Sequence, residues 1–360
     1  RIWSFQRPSV SLGMPNVSGG VFVKSLKKLL VASSVTAVAM VGLAACSSSS
    51  SSDENSLTVY SGRSENLVKP LYDKFTEQTG VQLNVRYGDS AELSAQIAEE
   101  GSNTPAQVFF SQDAGAIGAL EKANLLAPLP ASVATTVPEV YRTTQWTGIS
   151  ARARSIVYNS TIVPKAPKTV YDLVKPEYKG QLGIAPTNAS FQSFVTAMRM
   201  TEGDAKTEAW LEGIVANGAQ KFENNVSIVT AIHDGALGIG LVNHYYWFQI
   251  AKEKGGAQNM KATQAFTSPG DPGSLVTVAA AGLTASNATN ANAEKLLAFL
   301  LNTDSQTYFA TETFEYPLLP GIPGPNGSPP LSSLQSPPVK LNDLSDLPGT
   351  QAMLRSVGLI

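Results

Sequence analysis

The first half of the chain alternates between apolar runs and segments in which apolar residues recur every three or four positions. The runs have the length of strands and lie at 57–60, 81–85 and 107–111. The segments between them carry apolar residues at helical spacing, namely Leu67, Leu71 and Phe75 and then Leu93 and Ile97. This order of strand, helix, strand, helix, strand predicts a mostly parallel sheet with helices on both faces.

Short signals predict where the first two helices begin and end. Gly80 ends the first helix, because glycine accepts the left-handed backbone conformation of a C-cap. Pro70 fits this helix only if it lies near the first turn. Asp89 is a predicted N-cap of the second helix, and Glu92 follows it at the spacing of a capping box.

The second half repeats the pattern and predicts a second lobe. Strands are predicted at 155–159, 180–185, 235–242 and 275–279, and helices after Asn188, after Asn224, at 293–301 and at 304–312. Two chain crossings between the lobes, near 154–159 and 275–282, would form a hinge. The predicted domains are an N-terminal lobe, 56–154 with 276–322; a C-terminal lobe, 155–275; and a C-terminal segment packing on the lobes, 323–360.

The composition narrows the classes of function. Only 15% of the 360 residues are charged, and the sequence has no basic patch, which argues against a nucleic-acid partner. His233 and His244 are the only histidines, which leaves little room for imidazole catalysis or a His-rich zinc site. The sequence offers no convincing Ser/His/Asp set, phosphate-binding glycine loop or acid–base carboxylate pair, so we expect that the protein is not an enzyme.

The start of the chain has the pattern of a lipoprotein signal. A lysine-rich stretch precedes an uncharged, largely apolar run, 29–45, which ends at Cys46 and six serines. We interpret 1–45 as a signal peptide with an upstream extension before about Met14. Cys46, the only cysteine, would carry lipid on the extracytoplasmic side of the cell membrane, and 46–55 would be a flexible tether. A transmembrane anchor followed by a linker is the alternative.

An aromatic cluster directly follows the predicted strand 235–242. Residues 243–248 read Asn-His-Tyr-Tyr-Trp-Phe, and ligands of open α/β sheets bind at the carboxyl ends of strands. Tyr245 and Tyr246 suit a hard trivalent metal ion, which prefers oxygen donors and can deprotonate a phenol of pKa about 10. Packing in a core or an interface explains such a run about equally well. Strand alternation would turn His244 away from the site and leave it partly exposed.

Asparagines at three strand–helix junctions indicate an anion site. Asn188, Asn225 and Asn243 lie where backbone N–H groups at a helix start are free to bind anions. For each asparagine alone, helix capping is the simpler explanation. Three such junctions facing one cleft weaken that explanation.

Three arginines are further candidates for anion contact. Arg63 lies just past the first strand, at the predicted mouth of the cleft, although a solvated loop arginine is an equally good interpretation. Arg152 and Arg154 share one face of a strand. For these two, ion pairs with acidic loops are favoured over contact with an anion.

The order of these parts resembles the periplasmic ferric-ion-binding proteins of ABC iron transporters, a branch of the type II periplasmic binding-protein fold. The likeness covers residues 57–322. Its most specific motif is Asn243-x-Tyr245-Tyr246-Trp247. Further matching segments are 58–63, 89–93, 104–106 and 314–317.

The resemblance implies an α/β protein of two mixed or parallel-sheet lobes with the ligand in the cleft. Tyr245 and Tyr246 would bind ferric ion as phenolates, and Tyr60 is a third candidate ligand. A synergistic anion (carbonate, phosphate or citrate) would complete the coordination. The candidate anion-binding residues are Arg63, Glu92, Asn188, Ala189, Ser190, Asn225 and Asn243. The protein would be a monomer that delivers iron to an ABC permease and its ATPase.

Two positions depart from the best-known family pattern. Ser64 and Ala91 stand where that pattern has a His and a Glu ligand. A subset of the family lacks both and uses tyrosines with an arginine-bound anion, a role that Arg63 would serve. Fewer protein ligands leave more of the metal sphere to the anion, so free ferric ion and a small ferric chelate both stay possible.

Two other functions are less favoured. The first is a receptor of the same fold for an organic or phosphorylated solute, such as a phosphonate, a sugar phosphate or thiamine. The tyrosines would then stack or donate hydrogen bonds, and the helix ends would hold phosphate. The second is a secreted enzyme.

Overall fold

The computed structural model describes residues 55–360, which contain ten strands and ten α-helices joined by short helical turns and loops. The strands are β1 Ser56–Ser61, β2 Gln82–Tyr87, β3 Val108–Ser111, β4 Thr147–Asn159, β5 Leu182–Ile184, β6 Gln220–Lys221, β7 Ile239–Asn243, β8 Ala262–Ala265, β9 Val276–Leu283 and β10 Tyr316–Pro317. The helices are α1 Glu65–Thr79, α2 Ser90–Glu100, α3 Ala114–Lys122, α4 Ala189–Glu202, α5 Asp204–Ala216, α6 Asn225–Asp234, α7 Tyr245–Glu253, α8 Ala291–Leu300, α9 Thr303–Tyr308 and α10 Leu347–Ser356. The predicted signal peptide and Cys46 lie outside the described residues.

The strands form a mixed sheet in the order β2-β1-β3-β9-β4-β7-β5-β6. β1 pairs in parallel with β2 and β3, and β5 pairs in parallel with β6 and β7. β4 is antiparallel to all of its partners among the described strands. The predicted mixed α/β fold class is confirmed, although antiparallel pairs are more numerous than the strand–helix alternation suggested.

Strand β4 belongs to both halves of this sheet. From Thr147 to Ala153 it pairs with β9, and from Arg154 onward it pairs with β7 and β8. β4 thus begins eight residues before the predicted strand at 155–159. The change of partner at Arg154 coincides with the first predicted chain crossing. The lobe boundaries themselves stay a prediction.

The end of α1 and the start of α2 follow the predicted signals, but the position of Pro70 does not. Gly80 ends α1 with a φ of 72°, and its N–H donates to the Thr76 carbonyl at 2.8 Å. The Asp89 carboxylate accepts from the N–H of Ala91 at 2.8 Å and so caps α2. Pro70 lies in the second turn of α1, not near the first as the sequence required. The helix continues because its buried apolar face outweighs one missing hydrogen bond.

Apolar side chains of the strands and of the helices packed on them form the core. Phe75 of α1 has no exposed surface and meets Phe299 of α8 edge-on, with ring centroids 5.4 Å apart. Within residues 55–360, none of the helices has both the length and the apolar character needed to cross a membrane.

Replacing Phe75 with alanine tests the importance of this core contact. We expect the free energy of unfolding to fall by about 3–5 kcal/mol, because the substitution leaves a cavity. Val140→Ala is the control: Val140 is 69% exposed, so its loss should change stability by no more than about 0.5 kcal/mol. Urea denaturation of the domain starting at residue 55 measures both, and equal effects would contradict the packing described.

Candidate functional site

The tyrosine pair lies at the N-terminus of a helix. β7 ends at Asn243 and α7 begins at Tyr245, with His244 already in helical conformation between them (φ −56°, ψ −39°). His244 is fully buried: its Nδ1 accepts from the N–H of Ala153 at 3.1 Å, and its ring stacks on Tyr316. The expectation of a partly exposed histidine was wrong, because strand alternation does not continue into the helix. Burial lowers the pKa of His244 to about 4, so the ring is neutral.

The two tyrosines lie side by side and are buried. Tyr245 is 1% exposed and Tyr246 is 6% exposed, and their ring centroids are 4.1 Å apart. Burial, and next the charge of Tyr246, raises the pKa of Tyr245 well above its ordinary value, whereas Arg152 and Arg63 act to lower it. The Tyr246 hydroxyl accepts a hydrogen bond from Gln112 Nε2 at 3.3 Å. Tyr245 therefore stays a neutral phenol unless a bound cation stabilises its phenolate.

The three predicted strand–helix junctions meet through hydrogen bonds. Asn188 caps α4, and its Oδ1 accepts from Ser190 N at 3.1 Å, from Ser190 Oγ at 2.6 Å and from Asn225 Nδ2 at 3.4 Å. Arg154 Nη1 donates to Ser190 Oγ at 3.1 Å and to Asn243 Oδ1 at 3.3 Å. One continuous network thus connects the starts of α4, α6 and α7.

Arg154 is a buried cation that this network does not neutralise. It forms no ion pair with a carboxylate among residues 55–360, and its Nη2 donates to the Leu241 carbonyl at 3.1 Å. Burial lowers the pKa of Arg154 to about 9, although the two phenols and Asp113 act to raise it. The preferred interpretation of Arg154, an ion pair with an acidic loop, is therefore wrong.

Arg63 and Arg152 share one buried carboxylate, that of Glu315. Glu315 Oε1 accepts from Arg63 Nη2 in a short contact, and Oε2 accepts from Arg152 Nη2 at 2.8 Å and from Ser150 Oγ at 2.7 Å. All three charged side chains are fully buried. Burial works to raise the pKa of Glu315, but Arg63 and Arg152 outweigh it and hold this pKa at about 2. Arg63 is thus a buried ion-pair partner, not a solvated loop residue.

Several nitrogen donors in this region have no hydrogen-bond partner among the described residues. They are Nε and Nη1 of Arg63, Nε and Nη1 of Arg152, Nε of Arg154 and Nδ2 of Asn243. Unsatisfied buried donors are costly, and charged donors more so. Six of them around two phenols form an environment that an anion would stabilise.

Some predicted site residues lie away from the tyrosine pair and the three arginines. The Tyr60 hydroxyl donates to Glu100 at 3.0 Å and accepts from Gln96 at 3.2 Å, so its partners lie at the far end of α2. Glu92 is exposed on α2, in a surface groove that Gln351 of α10 also lines. Ala189 is buried in the first turn of α4, next to Ser190.

Sequence reasoning missed Glu315, Gln112 and Asp113. Glu315 belongs to a segment that carried the family resemblance, but a single glutamate far along the chain gives no signal that it meets Arg63 and Arg152. Gln112 and Asp113 directly follow β3, so the rule for carboxyl ends of strands could have found them.

A metal ion at this site would depend on the tyrosines. In residues 55–360, no three side chains of the His, Cys, Asp and Glu types are grouped so that they could hold a metal ion. Phenolate oxygens are hard donors, and nearby guanidinium groups stabilise both the phenolates and a bound anion. The arrangement can therefore bind a hard, highly charged cation together with an anion.

The chain is similar to known proteins in both sequence and structure. A family model described as bacterial extracellular solute-binding protein matches residues 103–336. The major ferric iron-binding protein of Neisseria meningitidis serogroup B is 32% identical over 310 residues, covering 84% of this chain and 93% of the relative. Iron-bound HitA from Pseudomonas aeruginosa has a TM-score of 0.80 at 30% identity, covering 84% of this chain and 99% of that chain. Trichodesmium IdiA (FutA), solved with iron and citrate ligands, has a TM-score of 0.70 at 27% identity, with coverages of 85% and 100%.

Asp113 allows a test of the electrostatics of the site. Its Oδ1 caps α3 by accepting from Gly115 N at 2.9 Å, and burial raises its pKa from 3.8 to about 6. A raised carboxyl pKa means that the folded state takes up a proton before the unfolded state does as the pH falls. Relative to Asp113→Asn, which keeps a capping oxygen, the wild type should gain up to about 3 kcal/mol between pH 7 and pH 3.5.

Denaturant unfolding of both proteins across this pH range makes the measurement. Since other carboxylates titrate equally in the two proteins, the difference between them isolates Asp113. Two stability curves that stay parallel from pH 7 to pH 3.5 would show that folding does not raise the pKa of Asp113.

Proposed function

The chain belongs to the bacterial extracellular solute-binding proteins and has the type II periplasmic binding-protein fold, and from this premise we propose that it captures ferric ion with an anion and delivers it to an ABC permease. The observation that carries the proposal is the buried pair of Tyr245 and Tyr246 at the start of α7, beside three buried arginines. In this proposal the protein binds and releases its cargo and catalyses no reaction.

The choice of ferric ion follows from the chemistry of the donors. A trivalent cation is the strongest available stabiliser of two neighbouring phenolates, which repel each other at a ring distance of 4.1 Å. Softer divalent ions favour imidazole or thiolate ligands. The named ferric relatives support the same choice, since the relative from Neisseria and the structure from Pseudomonas both carry iron in their names.

The anion would occupy the cluster of unpartnered donors. Arg63, Arg152 and Arg154 supply three positive charges, of which Glu315 neutralises one in this cluster. A carboxylate or phosphate group would satisfy the free Nε and Nη1 atoms and fill coordination positions that two tyrosines leave open. Carbonate, phosphate and citrate all meet this requirement, and the Trichodesmium structure was solved in complex with iron and citrate ligands.

Asn243, Asn188, Ser190 and Asn225 would orient the same anion. Their side chains belong to the network that Arg154 completes. The N-terminus of α4 adds backbone N–H groups and a positive helix dipole. We do not include Glu92 and Tyr60 in the proposed site. Glu92 is exposed on α2, and the Tyr60 hydroxyl donates to Glu100 of the same helix.

Binding and release would involve motion of the two predicted lobes about β4 and β9. The site residues come from both sides of the change of partner at Arg154, which supports a cargo position between the predicted lobes. Tyr245 and Tyr246 are only 1% and 6% exposed, so an ion bound to their hydroxyl groups would also be buried. Closure of such a hinge would bury the ion in this way. The receptor would act as a monomer, held at the extracytoplasmic face of the membrane by lipid on Cys46.

Replacing both Tyr245 and Tyr246 with phenylalanine tests the proposal. Ferric ion added with citrate or carbonate to the wild-type domain should produce a broad visible band from phenolate-to-iron charge transfer. In the double variant we expect the band to disappear and the affinity for ferric ion to fall at least about 100-fold. Tyr60→Phe is the matched control, and it should keep both the band and the affinity because the Tyr60 hydroxyl bonds to Glu100.

Two results would contradict this assignment. Full ferric binding by a folded double variant would remove the tyrosines as ligands. A wild-type protein that stays colourless but binds phosphate esters would favour the alternative function, a receptor for an organic or phosphorylated solute.

Cys46→Ala tests the proposed membrane anchor. Cells expressing the full chain are grown with labelled palmitate, and the wild-type protein should incorporate the label because a thiol is the acceptor. Cys46→Ala should incorporate none, whereas the neighbouring control Ser47→Ala should be labelled like the wild type. A labelled Cys46→Ala protein, or an unlabelled wild type, would refute the anchor.

A further inference from the structure

Glu315 is a fully buried carboxylate that pairs with two of the three arginines beside the tyrosines. We propose that Glu315 is a positioning residue: it fixes the guanidinium groups of Arg63 and Arg152 so that their free N–H donors hold the anion that accompanies the ferric ion. This inference rests on the proposed function and names the residue that prepares its anion site. In this role Glu315 would act through the two arginines and would contact neither the ion nor the anion.

The hydrogen bonds divide each guanidinium group into two parts. Glu315 engages Nη2 of Arg63 and Nη2 of Arg152, and in both arginines Nε and Nη1 stay unpartnered. A guanidinium group is planar and rigid, so fixing one nitrogen and one face fixes the direction of the other donors. Aromatic rings also contact both guanidinium groups. The Cζ atom of Arg63 lies 5.8 Å from the centre of the Phe110 ring, and that of Arg152 lies 5.7 Å from the centre of the Tyr245 ring.

The backbone conformation before Glu315 directs its carboxylate toward Arg63 and Arg152. A π-helical turn, Phe309–Thr313, is followed by Phe314 with a φ of 59°, a left-handed conformation that a non-glycine residue adopts at a cost. The N–H of Glu315 then donates back to the Phe309 carbonyl at 2.9 Å. Phe314 stacks on Phe248 of α7 at 5.6 Å, so the same turn contacts the helix that begins with the tyrosine pair.

The charge of Glu315 explains why two guanidinium groups can lie buried next to each other. Without this carboxylate, Arg63 and Arg152 would repel each other and would each lose a charge-assisted hydrogen bond. Their donors would then turn toward any available acceptor and would no longer form a fixed anion site. Ser150, which donates to Oε2 at 2.7 Å, holds the carboxylate itself in place.

Chemical rescue tests this role. Glu315→Ala removes the carboxylate and leaves room for a small one, so its ferric affinity in citrate or carbonate should fall about tenfold or more. Sodium acetate should restore much of this loss by occupying the place between Arg63 and Arg152. Glu315→Asp should keep part of the affinity, and Ser150→Ala should show a smaller loss than Glu315→Ala. Glu312→Ala, which removes an exposed glutamate of the same segment, is the matched control and should show neither loss nor rescue.

The outcomes separate positioning from a purely structural role. Restoration by acetate in Glu315→Ala, with no acetate effect in the wild type or in Glu312→Ala, supports the proposal. A folded Glu315→Ala protein with wild-type ferric and anion affinity overturns it. A loss that acetate does not restore also overturns it, since the carboxylate would then matter only for folding.

A second readout is independent of iron. The Tm of each protein is measured without metal, with and without citrate. Citrate should raise the Tm of the wild type more than that of Glu315→Ala, and acetate should raise the Tm of Glu315→Ala alone. If the wild type shows no ferric band but these shifts are found, the proposed function fails, whereas the positioning of Arg63 and Arg152 by Glu315 for anion binding stands. If the band is present and the shifts are equal in all variants, the role of Glu315 fails.

Discussion

The ion-paired cluster of Glu315, Arg63 and Arg152 is the interaction on which the rest of the site depends. It joins a loop after β1, the middle of β4 and the turn before β10 in one buried contact. Breaking a buried pair by removing one partner typically costs more than the pair contributes, because the remaining charge stays desolvated. The cluster therefore fixes the relative positions of three chain segments that lie far apart in sequence.

The charge states of the tyrosine pair and of the arginines depend on each other. Burial disfavours a Tyr245 phenolate, and it also disfavours an Arg154 guanidinium without a carboxylate partner. A ferric ion would stabilise the phenolates, and an anion would stabilise the guanidinium groups. The phenolates alone, or the guanidinium groups alone, would leave buried charge uncompensated. With the ferric ion and the anion also bound, positive and negative charges would offset each other. This coupling is a physical reason for an anion and a metal ion to bind cooperatively.

The sequence predicted the fold class, the main strands and helices, and the meeting of Asn188, Asn225 and Asn243, because periodicity and capping are local properties. It could not predict the partners of Arg63, Arg152 and Arg154. Burial of a guanidinium group depends on contacts made across the sheet, and an exposed arginine looks the same in sequence. His244 was misplaced for a related reason: the strand ends two residues before Tyr245, and only the helix start at α7 explains why the histidine is buried.

An anomalous difference map at the iron absorption edge tests the central claim most directly. Crystals of the domain starting at residue 55, grown with ferric citrate, should show one strong peak within bonding distance of the hydroxyl oxygens of both Tyr245 and Tyr246. Density for the anion should lie against the guanidinium groups of Arg63, Arg152 and Arg154. A peak bound to other residues, or iron-loaded crystals with no peak at the tyrosine pair, would contradict the account.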